Sequence, residues 1–298
     1  MIITSSSLHV AEKKDMAFPT SCVDRIQVSL GMQSLFPMSL HVPSMLDEGD
    51  LVYLLDPKGN RYWLNLRREM VRVQGLGVVD ANKIIGQEDG SRIKIAGRDF
   101  IAFRATIAEL MESLDRGPQI ITPKDAATIV FRLGLRAGDT VVEAGVGSGA
   151  LTLALINAVM PAGKVVTMEI REEFADRARR NIERAGLDKY WELRIGDIKT
   201  AELGLVADAV ALDMPDPQLA LDNVERFLRP GGRFAAYVPN TNQVADVVHG
   251  LQDHGFLEIG AVENIQRNIE AHPGGVRPAF ENLAHTGYMI FARRPARS

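Results

Sequence analysis

The stretch Thr140-Val141-Val142-Glu143-Ala144-Gly145-Val146-Gly147-Ser148-Gly149-Ala150-Leu151 decides how the chain is read. An apolar run ends in an acid, three glycines alternate with small residues, and Ala150-Leu151-Thr152-Leu153-Ala154-Leu155 opens an apolar helix. The order is strand, turn, helix. Glycines lack a Cβ, so the backbone can turn sharply here and approach a ligand closely. The spacing is G-x-G-x-G, not the G-x-G-x-x-G of dinucleotide-binding turns. Glu169 closes the next apolar segment, residues 164–168, where a carboxylate can accept both hydroxyls of a ribose. Loop and acid together point to an adenosine-bearing cofactor, and the glycine spacing favours S-adenosylmethionine.

Outward from this turn, apolar segments alternate with helical patterns. Helices are expected over residues 150–160, 172–185, 217–228 and 241–254, with strands over 140–142, 164–169, 191–195, 207–212 and 233–238. Two last strands, 257–265 and 285–293, have no helix between them and imply an antiparallel hairpin at one edge. The expected fold is α/β: a Rossmann-like, mostly parallel sheet with helices on both faces. Upstream, residues 107–114 and 125–133 read as helices, the second with Pro123 near its first turn. Earlier still, two strands flank Asp56-Pro57-Lys58-Gly59-Asn60, and further short strands are expected around Val71, Ile84, Ile93 and Phe100. The domain reading is therefore a small β domain over 45–105 and a catalytic domain over 106–298. Residues 1–44, rich in Ser, Met and Pro without periodicity, read as a flexible or misassigned extension.

The 298 residues are 46% hydrophobic and 24% charged, ordinary for a globular protein. No apolar run is long enough to span a bilayer, and no signal peptide is legible, so a cytoplasmic location is expected. The single cysteine, Cys22, excludes an internal disulfide framework and a cysteine-based metal cluster. His249, His254, His272 and His285 show no metal-ligand spacing, so no metal is expected. The net charge of −4 argues against indiscriminate nucleic-acid binding but leaves room for a local basic patch.

In open α/β sheets the ligand lies beyond the carboxyl ends of the strands. Four such ends carry an acid: Glu143, Glu169, Asp197 and Asp213. Glu143 is expected to hold the loop or reach the cofactor's amino group. Asp197, in Ile195-Gly196-Asp197-Ile198, could accept from an adenine amino group. Asp213 lies in Leu212-Asp213-Met214-Pro215-Asp216-Pro217, a loop stiffened by two prolines and suited to orienting an acceptor. Asp216 is the better candidate for capping the helix that follows. Arg171, Arg177, Arg179, Arg180 and Arg184 share a helix with Glu172, Glu173, Asp176 and Glu183, a pattern usual for a solvated face, with phosphate binding as the secondary reading. Lys124, near a helix start, is the better single candidate for a phosphate contact.

Several blocks resemble a known family. Gly117-Pro118-Gln119-Ile120 with Pro123-Lys124-Asp125, the glycine loop through Thr152, Leu212-Asp213-Met214-Pro215, Val276-Arg277-Pro278 and His285-Thr286-Gly287-Tyr288 are similar, in this order, to the tRNA (adenine-N1)-methyltransferases of T-loop position 58. The similarity covers roughly residues 46–294. It implies a small β domain, a methyltransferase domain and a homotetramer. It also implies methylation of adenine N1 at position 58, with 57 as a second candidate, and tRNA as partner. A cofactor site of Gln119, Glu143, Gly145, Gly147, Ser148, Gly149, Ala150, Leu151, Glu169, Gly196, Asp197 and Asp213 is expected, with Asp213 at the catalytic centre. Thr122, Lys124, Arg277 and His285 are placed beside the acceptor.

Two positions depart from the family pattern. Thr122 stands where many members have an aromatic residue able to stack on the flipped base. Asn268-Ile269 stands where many have a tryptophan. Lost stacking costs about 1–3 kcal/mol per base, which bears on the acceptor more than on the cofactor. The alternatives are a methyltransferase for a small-molecule or protein acceptor, and a tRNA-binding subunit that has lost catalysis. A dehydrogenase fits less well, because its glycine spacing differs and no separate substrate domain follows the sheet.

Overall fold

The computed structural model describes residues 44–114, 121–272, 274–280 and 285–296. Gln119 and almost all of the N-terminal extension fall outside them. A four-stranded antiparallel sheet comes first, ordered β2-β1-β6-β5 and built from β1 (Leu51–Leu55), β2 (Arg61–Asn65), β5 (Arg92–Ile95) and β6 (Arg98–Arg104). A separate ribbon pairs β3 (Met70–Val73) with β4 (Gly77–Asp80). The turn between β1 and β2 folds around Asp56, whose carboxylate accepts from the backbone of Lys58 and Asn60 at 2.9 Å each. Bonds from Asn60 hold that carboxyl down at about 2.

Ile84 is not in a strand, contrary to expectation. Asp80 caps a short 3-10 turn, Ala81–Lys83, by accepting from Asn82 N, and Ile84 leaves that turn fully buried in the small core. Local capping overrides the alternating pattern there.

Next come α1 (Ile107–Glu112) and α2 (Pro123–Leu133). The first starts on a capping box of Thr106 and Glu109, and the second runs from Pro123 at its first turn to a left-handed Gly134. The main sheet then builds from β7 (Thr140–Ala144), α3 (Ala150–Val159), β8 (Lys164–Glu169), α4 (Glu172–Arg184), β9 (Trp191–Ile195), β10 (Ala207–Leu212), α5 (Leu221–Phe227), β11 (Leu228–Val238), α6 (Thr241–Asp253) and β12 (Leu257–Glu263). A ribbon of β13 (Ile269–His272) and β14 (Gly275–Pro278) precedes the last strand, β15 (Tyr288–Arg293). The strand order is β12-β15-β11-β10-β7-β8-β9. Only β15 runs against the other strands of this sheet; β12 pairs with β15 alone, at the edge.

Side chains alternate across this sheet as the pleat requires. Val141, Ala209, Ala211 and Ala235 face α1, α2 and α3, in one core. Val142, Val210, Leu212 and Ala236 face α5 and α6, in another. Buried on both faces, the central strands read as continuous apolar runs.

Three expectations are corrected. The helix expected over 217–228 begins as a 3-10 turn, Pro217–Ala220, before α5. Asp216 stands at its start in left-handed conformation and makes no side-chain cap bond. The β13–β14 ribbon interrupts what reads in sequence as a simple terminal hairpin, although His272-Pro273-Gly274-Gly275 carries the turn chemistry that marks it.

After β9 the chain returns to the other side of β7, so the strand order reverses between β7 and β10. That switch point opens a crevice at the strands' carboxyl ends.

Candidate active site

Gly145 leaves β7 with φ +85°, and a Cβ built there would lie 1.8 Å from the Asp213 carbonyl oxygen. No side chain fits, so the loops after β7 and β10 can touch. The backbone N–H of Asp213 donates to the Ala144 carbonyl at 2.8 Å, locking that contact. Gly147 and Gly149 also have positive φ, and Gly149 starts α3 without a side-chain cap. The first N–H groups of α3 therefore have no side-chain acceptor and suit an anionic group. Ser148, Ala150 and Leu151 are buried. Asn181 of α4 pins the turn by donating to the Ser148 carbonyl at 2.9 Å.

Glu169, buried at the end of β8, accepts from the backbone N–H of Val146, Ile170 and Arg171, each at 3.0 Å. It thus holds the glycine loop while lining the crevice. Glu143 is fully buried beneath the loop and is not among the crevice residues. Its Oε2 accepts from Thr152 at 2.8 Å and Thr167 at 2.6 Å, and its Oε1 has no partner. Burial raises its pKa to about 8. Asp197 is exposed, accepts from Lys199 N at 2.9 Å and lines the crevice beside Gly196.

The crevice has two adjoining chambers. One is bounded by Met168, Glu169, Gly196, Asp197 and Ile198. The other is bounded by Ile121, Gly147, Ser148, Phe174, Arg177, Tyr237, Pro239 and Gln243. Gly145, Arg171, Asp213, Met214 and Pro215 line both. Burial, together with the negative charge of Glu169, raises the Asp213 carboxyl to about 7. The crevice thus sets Glu169, Asp197 and Asp213 against Arg171, Arg177 and Lys199, with acids and cations both available to a ligand that carries both charges.

The motif blocks Pro123-Lys124-Asp125 and His285-Thr286 meet in space. Asp125 is fully buried and accepts from Lys124 Nζ at 2.9 Å, Thr286 Oγ1 at 2.7 Å, Thr122 Oγ1 at 3.0 Å and Tyr237 Oη at 3.4 Å. Lys124 also donates to Thr286 Oγ1 and the Asn264 carbonyl, each at 2.6 Å. An ammonium has three protons, so this arrangement leaves Lys124 none for a phosphate. The lysine braces the wall behind the second chamber instead.

Thr122 likewise turns its hydroxyl to Asp125, and its neighbour Ile121 lines the chamber. His285 contacts Glu263 at 2.7 Å and the Pro239 carbonyl at 3.0 Å through its two ring nitrogens, and Glu263 raises its pKa. Arg277 lies on β14, pairs with Glu270 and covers the Phe280 ring at 3.9 Å.

Sequence reasoning passed over Tyr237 and Phe174, and read Arg171 and Arg177 as part of a solvated helix face with phosphate binding only second. Tyr237 had one signal, its place near a strand's carboxyl end. Its ring occupies the space where a Cβ on Gly287 would fall, 2.4 Å from Tyr237 Cζ.

Comparison with known proteins agrees with this layout. Residues 105–276 match the family model of the tRNA methyltransferase complex GCD14 subunit, and residues 45–93 match the TrmI-like N-terminal model. The chain is 36% identical over 269 residues to the tRNA (adenine(57)-N(1)/adenine(58)-N(1))-methyltransferase TrmI of Methanocaldococcus jannaschii, covering 81% of this chain and 94% of that one. A solved SAM-dependent O-methyltransferase from Thermotoga maritima superposes with TM-score 0.75 at 32% identity, covering 85% of this chain and 96% of that one. The solved tRNA (m1A58) methyltransferase TrmI of Aquifex aeolicus gives TM-score 0.68 at 28% identity, covering 85% and 100%.

Proposed function

The chain belongs to the tRNA (adenine-N1)-methyltransferase family of TrmI and the GCD14 subunit, and from that premise we propose that it methylates N1 of adenine 58 in the tRNA T-loop, with position 57 as a second target. The observation that carries the reading is Asp213, which lines both chambers of the crevice. Donor and acceptor can then meet at one carboxylate. When bound, S-adenosylmethionine supplies an electrophilic methyl group on a cationic sulfur.

The residues present fit that cofactor. Glu169 is placed to take the ribose hydroxyls, Asp197 the adenine amino group, and the capless start of α3 a carboxylate. Adenine N1 already carries a lone pair, so no base is needed. Asp213 accepts from the exocyclic N6 amino group, orients the ring and offsets the positive charge the ring gains. N1 lies on the pairing edge, so the target nucleotide is flipped out before it enters the second chamber. Tyr237 and Phe174 supply aromatic surface there, which Thr122 does not.

A cytoplasmic location is part of the proposal. Among the described residues no helix is long and apolar enough to cross a membrane. Assembly as a homo-oligomer, a tetramer by resemblance, is also proposed. The test is methyl transfer from labelled S-adenosylmethionine to unmodified tRNA, followed by mapping of the modified base. N1-methyladenosine in the T-loop supports the proposal. Normal cofactor binding with no transfer to any tRNA refutes it and favours a small-molecule or protein acceptor.

A further inference from the structure

The arginine-rich helix α4 reads in sequence as a solvated face, yet its first turns reach the acceptor chamber. Arg171, Phe174 and Arg177 all line it. The Arg171 guanidinium stacks on the Phe174 ring at 3.7 Å, and that of Arg177 lies 5.5 Å from the same ring. Arg171 is partly compensated by Glu169 at 3.6 Å. Arg177 makes no ion pair among the described residues, although Glu173 stands one turn before it, and Asp176 is paired with Arg179 at 2.5 Å. Arg180, three residues on, is exposed and also unpaired among the described residues. Cations of this helix thus stand both in the chamber lining, at Arg171 and Arg177, and on the exposed surface, at Arg180, interleaved with Glu172, Glu173 and Asp176.

We propose that the Arg171–Phe174–Arg177 stack is the docking platform for the RNA strand that carries the target adenosine, with Arg177 pairing to a flanking phosphodiester and the stacked Arg171 and Phe174 supporting an unstacked base. This rests on the tRNA reading above. Flipping a nucleotide leaves its neighbours unstacked and its backbone strained. Planar guanidinium and aromatic surfaces take up such bases, and a free guanidinium takes up a phosphate through its forked donors.

The competing ligand for Arg177 is the single carboxylate of the cofactor. Two features favour RNA. The open start of α3 already offers that carboxylate N–H donors. A second cation outside the chamber, Arg180, one turn beyond Arg177, matches a polyanion better than one anion.

The test measures binding of unmodified tRNA across a salt series, with cofactor affinity by calorimetry in parallel. Arg177→Ala is expected to weaken tRNA binding about tenfold and to lower the slope of log affinity against log salt by about 0.7 to 1, with cofactor affinity unchanged. Arg177→Lys should retain the slope, and Phe174→Leu should weaken binding with the slope intact. Wild-type tRNA affinity and slope in Arg177→Ala would overturn the platform while leaving the tRNA reading standing. Weakened cofactor binding with tRNA binding intact would assign Arg177 to the carboxylate instead. Failure of the wild-type protein to bind tRNA would overturn both readings together.

Discussion

Asp213 acts through two parts of one residue: its carbonyl packs on Gly145, and its carboxyl faces the crevice. The first part makes Gly145 irreplaceable. Gly145→Ala would push a methyl to 1.8 Å from that oxygen at φ +85°, and strain plus displacement should cost at least about 2 kcal/mol. Thermal unfolding should show the loss, and cofactor affinity should fall with it. The second part makes Asp213 separable from binding. Asp213→Asn should lower kcat roughly 100-fold or more while cofactor affinity, measured by calorimetry, changes little. The pH dependence follows from the raised carboxyl at about 7. The ionised form accepts from N6, so the rate at limiting cofactor should rise with pH through about 7. That limb should flatten in Asp213→Asn. A limb of unchanged midpoint and amplitude in the variant would place the titrating group elsewhere.

At the scale of elements, Glu143 ties β7 to α3 and β8 through Thr152 and Thr167. Its carboxyl is raised to about 8 from 4.5, so its proton is held in the folded state and lost more readily in the unfolded one. The sign is then fixed: stability is greatest below about pH 4.5 as far as this group goes, and is lost as pH rises toward 8. Asp213 adds the same trend up to about 7. Glu143→Gln should flatten, without abolishing, the fall of melting temperature between pH 5 and 8. A variant that follows the wild-type slope would show that Glu143 is not buried neutral. Strands β8 and β10 were legible to the residue because burial on both faces leaves a nearly unbroken apolar run between turns. The 3-10 turn at Ala81–Lys83 was not, because one Asp80 cap outweighed an alternating pattern. The acids of the crevice were legible because strand ends can be counted. Arg177 was legible only as a secondary phosphate candidate, because its charge looks like any other on a polar helix until the fold shows that it lines the crevice.

Across the whole molecule, the small β domain and the main sheet are joined by specific contacts. Asn65 donates to the Arg184 carbonyl at 2.7 Å, and Leu51 packs into the same core as α3. The folded unit reaches back to Ser44, whose carbonyl accepts from Asp89, and to Leu46, which is fully buried and pairs with Gln87 and Gly86. Leu46→Ala should cost about 2–4 kcal/mol by leaving a cavity, read as a fall of several degrees in melting temperature. No change would mean that the small domain does not close around that residue. The central claim is that Asp213 brings a methyl donor and adenine N1 together. Its most direct test is single-turnover transfer to a tRNA transcript whose T-loop target adenine carries carbon in place of N1. The N6 amino group remains, so the account predicts near-normal binding of this tRNA and no methyl transfer, with transfer restored by the ordinary transcript. Equal transfer to both transcripts would contradict it.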